Sequence, residues 1–187
     1  MHPGPDRRQE LLDLATDRVL EDGLIGLTLR PLAAAIGTSD RMLVYHFGSR
    51  DALVSEIVTT TNHRAVEAVG RLAPVAGVRA GVNALWAAYQ TQPLSGCLDV
   101  YCQAASEGLI GREPYLTDAR AANERWSGAL RDYLVGCGTP ASRVGRVVTL
   151  VDSALYGFHL DLTTDRPDEL DQGVDDLARA AALLAAP

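Results

Sequence analysis

Residues 28 to 54, TLRPLAAAIGTSDRMLVYHFGSRDALV, leave this chain few folds to choose from, because they specify two short helices crossing through a glycine turn. Thr28 is a good N-cap, and Pro31 sits in the first turn of the helix that follows, where its missing N–H costs nothing. Leu29, Leu32, Ala33 and Ile36 recur at helical spacing and turn one apolar face inward. Gly37 stands where the chain must leave that helix through a left-handed conformation, which glycine adopts cheaply. Thr38 or Ser39 caps a second short helix carrying Arg41, Met42, Leu43, Tyr45, His46 and Phe47. A small residue at 33 and a glycine four positions later let the two helices cross closely. The pattern predicts a helix-turn-helix of the kind that docks on DNA.

The run continues through Leu43, Val44, Tyr45, His46 and Phe47 into Gly48, Ser49, Arg50, Asp51, Ala52 and Leu53. Over roughly residues 8 to 56 the chain resembles the DNA-binding domain of the TetR/AcrR family of transcriptional regulators. That family's pattern is a helix-turn-helix, an L-Y-x-H-F-like run and a K/R-x-x-L helix start. The remaining two thirds of the chain are similar to the family in length and helical character. One position departs from the pattern: Val44 stands where the family commonly has a tyrosine that touches a phosphate. The resemblance implies an all-α fold, with an N-terminal three-helix DNA-binding domain over 1–50. A C-terminal helical bundle over 51–187 then serves ligand binding and dimerisation.

Chemistry and resemblance together assign contact roles. Arg30 matches a family position that reaches a guanine edge, and its planar fork suits that bidentate contact. Asp40, Arg41 and Met42 occupy the first exposed turn of the recognition helix, where base readers sit. Asp40 either accepts from a cytosine amine or orients Arg41. Thr28, Tyr45, His46 and Arg50 are the phosphate candidates, with Ser39 adding a hydroxyl. Leu32, Ala33, Ile36, Leu43 and Phe47 are scaffold. In the plainer alternative, Arg30 and Arg50 are solvated surface charges and Met42 packs inward.

The net charge of −7 at first argues against a nucleic-acid partner, but its distribution matters more than its sum. Between Thr28 and Arg50 the charged residues are Arg30, Asp40, Arg41 and Arg50, three positive against one negative. The acids gather elsewhere, at Glu10, Asp13, Asp17, Glu21 and Asp22, and again at Asp165, Asp168, Glu169, Asp171, Asp175 and Asp176. A local basic face on an acidic protein favours specific over non-specific contacts, since phosphate neutralisation drives the latter. All 17 basic residues are arginine. At 187 residues, 47% of them hydrophobic, the chain has the material for a small domain and a larger one. It has no run of 18 apolar residues and no charged-then-apolar leader, so neither membrane insertion nor secretion is expected. Cys97, Cys102 and Cys137 lack metal-ligand spacing and read as reduced, buried thiols of a cytoplasmic protein, with a redox sensor as the minor reading.

Beyond the turn motif the punctuation is helical throughout. A first helix is expected over 6–22, ended by Gly23, and a long helix over about 51–72 carries Val54, Ile57, Val58, Thr61, Ala65, Ala68 and Leu72 on one face. Further helices are expected at roughly 78–91, 94–110, 115–136, 141–163 and 168–185, separated by Pro93, Pro114, Gly138-Thr139-Pro140 and Pro167. Val144, Val148, Val151, Leu155, Phe158 and Leu162 step by four and three, as do Leu170, Val174, Leu177, Ala181 and Leu184. Two such seams suit a four-helix bundle built with a second copy of the chain. They suit equally the core of a single copy.

About 100° around from Val151 the same helix carries Asp152, Tyr156 and His159. A carboxylate, a phenol and an imidazole on one face can orient a ligand in an apolar cavity, with Trp86, Tyr89, Tyr101 and Trp126 as walls. The alternative is an aromatic core in which the polar groups satisfy one another. No metal site is expected, because no third ligand is evident. No cofactor or catalytic residue is expected either: there is no G-x-S-x-G elbow, P-loop, dinucleotide fingerprint or H-E-x-x-H. These features predict a homodimeric repressor that binds a pseudo-palindromic double-stranded operator and is released by a small-molecule effector. Two alternatives stay open: a DNA-binding regulator whose C-terminal domain only dimerises, and a small-molecule-binding protein or enzyme that has lost DNA binding.

Overall fold

The structure, a computed structural model, describes residues 7–186, so residue 6 of the expected first helix lies outside the described residues. Among the described residues every regular element is a helix. They are α1 (Arg7–Asp22), α2 (Leu29–Ala35), α3 (Asp40–Phe47), α4 (Arg50–Gly70), α5 (Val78–Tyr89), α6 (Leu94–Leu109), α7 (Tyr115–Gly136), α8 (Val144–Asp161) and α9 (Pro167–Ala185). The spans expected from spacing and punctuation agree with these to within a few residues, the usual uncertainty of helix ends. The chain forms two compact units. The first is the described part of Met1–Arg64 together with Gly96–Asn123; the second is Ala65–Ser95 together with the described part of Glu124–Pro187. The division falls inside α4, α6 and α7, whereas the sequence suggested a functional boundary at residue 50.

The first unit is organised around a core of Leu11, Leu12, Ala15, Val19, Leu24, Leu32, Ala33, Leu43, Phe47, Leu53, Val54, Ile57 and Val58. Each fully buried leucine of this kind contributes about 1.5–3 kcal/mol relative to exposure. Val100 and Ala104 of α6 and Tyr115 of α7 belong to the same core. The helix-turn-helix therefore rests on residues from the middle of the chain. Its α2 ends as the glycine predicted: Gly37 has φ +71, Thr38 N–H donates to Ala33 O at 2.9 Å and Gly37 N–H to Ala34 O at 3.4 Å. That pair of bonds satisfies carbonyls a helix end otherwise leaves orphaned. Ser39 then caps α3, its hydroxyl accepting from Met42 N–H at 3.2 Å.

The turn entering α2 is held from a distance. Gln103 Oε1 on α6 accepts from Leu24 N–H at 2.7 Å and from Ile25 N–H at 3.0 Å. Gly23 has φ +87, a conformation that strains any residue with a Cβ, and a Cβ there would stand 3.0 Å from that same amide oxygen, so Gln103 would have to give way.

In the second unit α5, α8 and α9 pack together with the C-terminal half of α7. Small residues set the closest approaches: a Cβ on Gly81 would lie 2.8 Å from Cys137 Sγ, and one on Gly173 would lie 2.9 Å from the Phe158 ring. Tyr133 donates to Gly81 O at 3.2 Å across the first of these approaches. Burial, with Cys137 beside it, pushes the Tyr133 phenol up to about 12.

Most residues of the two expected seams face the core of the single chain. Val144, Val148, Val151, Leu155, Leu170, Val174, Leu177 and Ala181 are buried within the single chain, and Phe158 is half-buried against Gly173. A stripe at helical period shows that a helix covers something apolar, and α5 with the paired α8 and α9 supplies that cover internally. Outward-facing apolar residues on these helices are instead Leu150, Leu160 and Leu183. All three cysteines are free and buried, and burial pushes the Cys97 thiol up to about 11, the opposite of a reactive thiolate.

Candidate functional site

A helix of eight residues can bury only one side, and α3 buries Leu43 and Phe47. Asp40, Arg41, Met42, Val44 and Tyr45 are consequently exposed, Tyr45 at 78%. Arg30, on the first turn of α2, is exposed as well. Among the described residues neither Arg30 nor Arg41 has an ion-pair or hydrogen-bond partner for its guanidinium. Two uncommitted forks beside an exposed aromatic, on a helix fixed at its start by Ser39, form a surface suited to phosphates and base edges. Asp40 Oδ1 accepts from Arg41 N–H at 2.9 Å, so the carboxylate belongs to the helix start while its other oxygen faces solvent. Thr28 takes the extended N-cap conformation of α2, but its side chain makes no capping bond, leaving an exposed hydroxyl.

Two of the phosphate candidates, His46 and Arg50, are half-buried in the first unit. His46 Nε2 is buried without a hydrogen-bond partner, the ring standing edge-on to Tyr45 at 5.1 Å and tilted against Phe47 at 6.4 Å. That nitrogen packs the end of α3 and is closed to a phosphate. Arg50 is half-buried and its fork is committed: Nε donates to Leu27 O at 2.9 Å, one terminal nitrogen to Asp51 at 2.9 Å and the other to Tyr115 Oη at 2.8 Å. Arg50 ties the start of α4 to the turn before α2 and to the start of α7. A fourth arginine, absent from the contacts expected from the sequence, also acts here. Arg8 of α1 donates to the His46 carbonyl at 3.1 Å, pairs with Glu56 and lies 4.9 Å over the Phe47 ring, holding the C-terminal end of α3. Arg8, Gln103 and Tyr115 carry no local signal, since their partners lie 38, 79 and 65 residues away in sequence.

The second unit brings Asp152 of the expected ligand stripe together with three of the expected walls, Trp86, Tyr89 and Trp126. Asp152 on α8 accepts from Trp126 Nε1 on α7 at 2.8 Å. Burial pushes the Asp152 carboxyl above its ordinary range, opposed but not cancelled by the Trp126 bond. Trp126 meets Tyr89 at 5.9 Å, Tyr89 meets Trp86 at 6.4 Å, and Trp86 meets Phe158 at 6.2 Å, so α5, α7 and α8 contribute to one chain of rings. Phe158, read from the sequence as a seam residue, joins this cluster. Trp86 is 5% exposed, and its Nε1 is buried with no hydrogen-bond partner among the described residues. His159 is buried and Tyr156 half-buried further along α8. Tyr101, expected as a wall of the same site, is half-buried on α6 in the first unit. Among the described residues no group of acids, histidines and cysteines is arranged to hold a metal ion.

No family model matches the chain. Over 52 residues the chain is 42% identical to the HTH-type transcriptional repressor KstR2 of Rhodococcus jostii (strain RHA1), a stretch covering 28% of this chain and 26% of that repressor. The chain thus matches about a quarter of the length of its curated relative. Solved structures match over nearly the whole fold. A protein described as a TetR-family transcriptional regulator from Rhodococcus sp. has a TM-score of 0.70 at 16% identity, over 97% of this chain and 100% of that one. One described as a transcriptional regulator from Saccharomonospora viridis, in complex with choline, has a TM-score of 0.72 at 20% identity, over 92% and 95%. The chain has the TetR-type fold.

Proposed function

We propose that the chain is a homodimeric DNA-binding transcriptional regulator of the cytoplasm, a repressor released from its operator by a small molecule, and not an enzyme. The observation that carries this reading is the face of α3: Arg41, Val44 and Tyr45 exposed together beside Arg30, on a capped helix whose other side is locked into the core. The match to a repressor over 52 residues and the TetR-type fold support it. Arg30 and Arg41 read base edges, and Val44 offers an apolar contact of the kind that suits a thymine methyl. Thr28, Ser39 and Tyr45 supply phosphate contacts through their hydroxyls. No described helix is long and apolar enough to cross a membrane.

Two copies pair through the outward face of α8 and α9, where Leu150 and Leu160 stand among Thr149, Ser153 and Gly157, with Leu183 on α9. A two-fold pair sets its recognition helices one helical turn apart on DNA, about 34 Å. An effector held in the second unit acts through α4, α6 and α7, each of which continues along the chain into the first unit. It releases DNA only by binding the DNA-incompetent state more tightly. Selection of genomic fragments with the purified protein tests the core of this. A palindromic site should emerge, and Arg30→Ala or Arg41→Ala should weaken it by ~1–3 kcal/mol while relaxing one base pair per half-site. Failure to enrich any sequence, or equal binding by both variants, would remove α3 from the readout.

A further inference from the structure

Three features of the second unit call for the same occupant. Asp152 is a partly buried carboxylate whose one partner is a neutral donor, Trp126 Nε1, and among the described residues no arginine pairs with it. Carboxylates taken from water normally have a cationic partner. Next to it, Trp126, Tyr89, Trp86 and Phe158 form a linked series of rings with centroids 5.9 to 6.4 Å apart. The faces of such rings attract cations, tryptophan most strongly. The third feature is the Trp86 Nε1–H, buried and without an acceptor. A buried donor left unmade carries a penalty that an incoming oxygen would relieve.

We propose that this cluster binds a small organic ammonium ion that also carries an oxygen acceptor, the ammonium lying against the indole rings beside Asp152 and the oxygen taking the Trp86 N–H. Each half of that ligand answers a group the protein leaves uncompensated. A neutral apolar molecule would fill space and leave both Asp152 and Trp86 as they are. An anion would meet a carboxylate. The assignment deepens the effector part of the proposed function, and its consequence for DNA rests on that reading; the binding itself does not.

Trp86 and Trp126 are the two tryptophans of the chain, so intrinsic fluorescence of the full-length protein reports the site directly. The probes are choline, tetramethylammonium, which lacks the oxygen, and dimethylbutanol, the uncharged carbon isostere of choline. Choline should perturb the emission saturably, tetramethylammonium more weakly, and dimethylbutanol weakest of all. Asp152→Asn keeps an acceptor for Trp126 and so keeps the fold, yet should weaken choline about ten- to a hundred-fold, the worth of one charge-assisted contact. Trp86→Phe keeps a ring and removes the donor, and should bring choline down to the level of tetramethylammonium. Equal binding of choline and dimethylbutanol, equal binding by Asp152→Asn and parent, or binding of neither ammonium probe would each overturn the assignment. A protein that selects an operator but ignores every ammonium probe loses this inference and keeps the DNA reading. One that binds choline but selects no DNA does the reverse.

Discussion

Placing a glutamate on either side of α8 separates its two faces. Val151 is 0% exposed and Leu150 next to it is 37% exposed. Val151→Glu forfeits the burial of a valine, about 1.5–3 kcal/mol, and forces a lone carboxylate among Val147, Val148 and Leu155 or protonates it there. Substitutions that bury an uncompensated charge belong to the exceptional class above roughly 4 kcal/mol. Against a total stability of about 5–15 kcal/mol, such a loss lowers the melting temperature by roughly 10–25 °C or abolishes folding. Leu150→Glu touches the isolated subunit by only about 0.5 kcal/mol, as surface changes do. At a two-fold interface, however, it sets two like charges against each other. Circular dichroism melts with light scattering across a range of protein concentrations distinguish the outcomes. The expected pattern is an unfolding defect for Val151→Glu and a folded monomer for Leu150→Glu. A folded, monomeric Val151→Glu with a dimeric Leu150→Glu would return the interface to the inner seam and refute the assignment of the two faces.

Two further outcomes follow from single contacts. Gln103→Leu removes the acceptor shared by Leu24 and Ile25, whereas Gln103→Glu retains it; the leucine variant should lose about 1–3 kcal/mol and the amide-exchange protection of both residues, and the glutamate variant should regain most of each. Equal protection in the two variants would show that the turn holds itself. Because burial raises the Asp152 carboxyl, the folded chain binds its proton more tightly than the unfolded chain, so stability should fall as pH rises from the ordinary carboxyl range through the raised folded value, and level off above it. Asp152→Asn should remove that part of the slope; a melting curve whose pH dependence is unchanged in the variant would mean Asp152 is not its source.

Local rules made the helices and their ends readable. The residues that stop α2 and start α3, Gly37 and Ser39, act on their own neighbours, and the structure shows the bonds those residues predict. The cluster of Trp86, Tyr89, Trp126 and Asp152 was legible as chemistry spread over several helices, because large aromatics and one stranded carboxylate limit what can surround them. Direction was not legible. The spacing of Val144, Val148 and Val151 reports an apolar side without naming what covers it, and α9, with α5, supplies the cover. Arg50 has the right chemistry for phosphate, but its bonds to Leu27, Asp51 and Tyr115 use that chemistry inside the protein, while burial closes the Nε2 of His46. Arg8 and Gln103 act over long loops in sequence, and no periodicity announces a partner 38 or 79 residues away.

The core beneath α2 and α3 is completed by Val100, Ala104 and Tyr115, and this bears on how the protein is made and how it can change. On the ribosome, the segment that carries Arg30 and Arg41 emerges early, yet its apolar side stays uncovered until synthesis has passed Tyr115. The exposed face that carries Arg30 and Arg41 is therefore fixed late, at nearly the same moment as α6 and the start of α7. The same wall opposes exchange by recombination. A crossover at residue 50 would set α2 and α3 of one chain against α6 and α7 of another, with Gln103 and the three core residues Val100, Ala104 and Tyr115 mismatched. A graft meant to transplant α2 and α3 has to carry 96–123 along with the N-terminal segment.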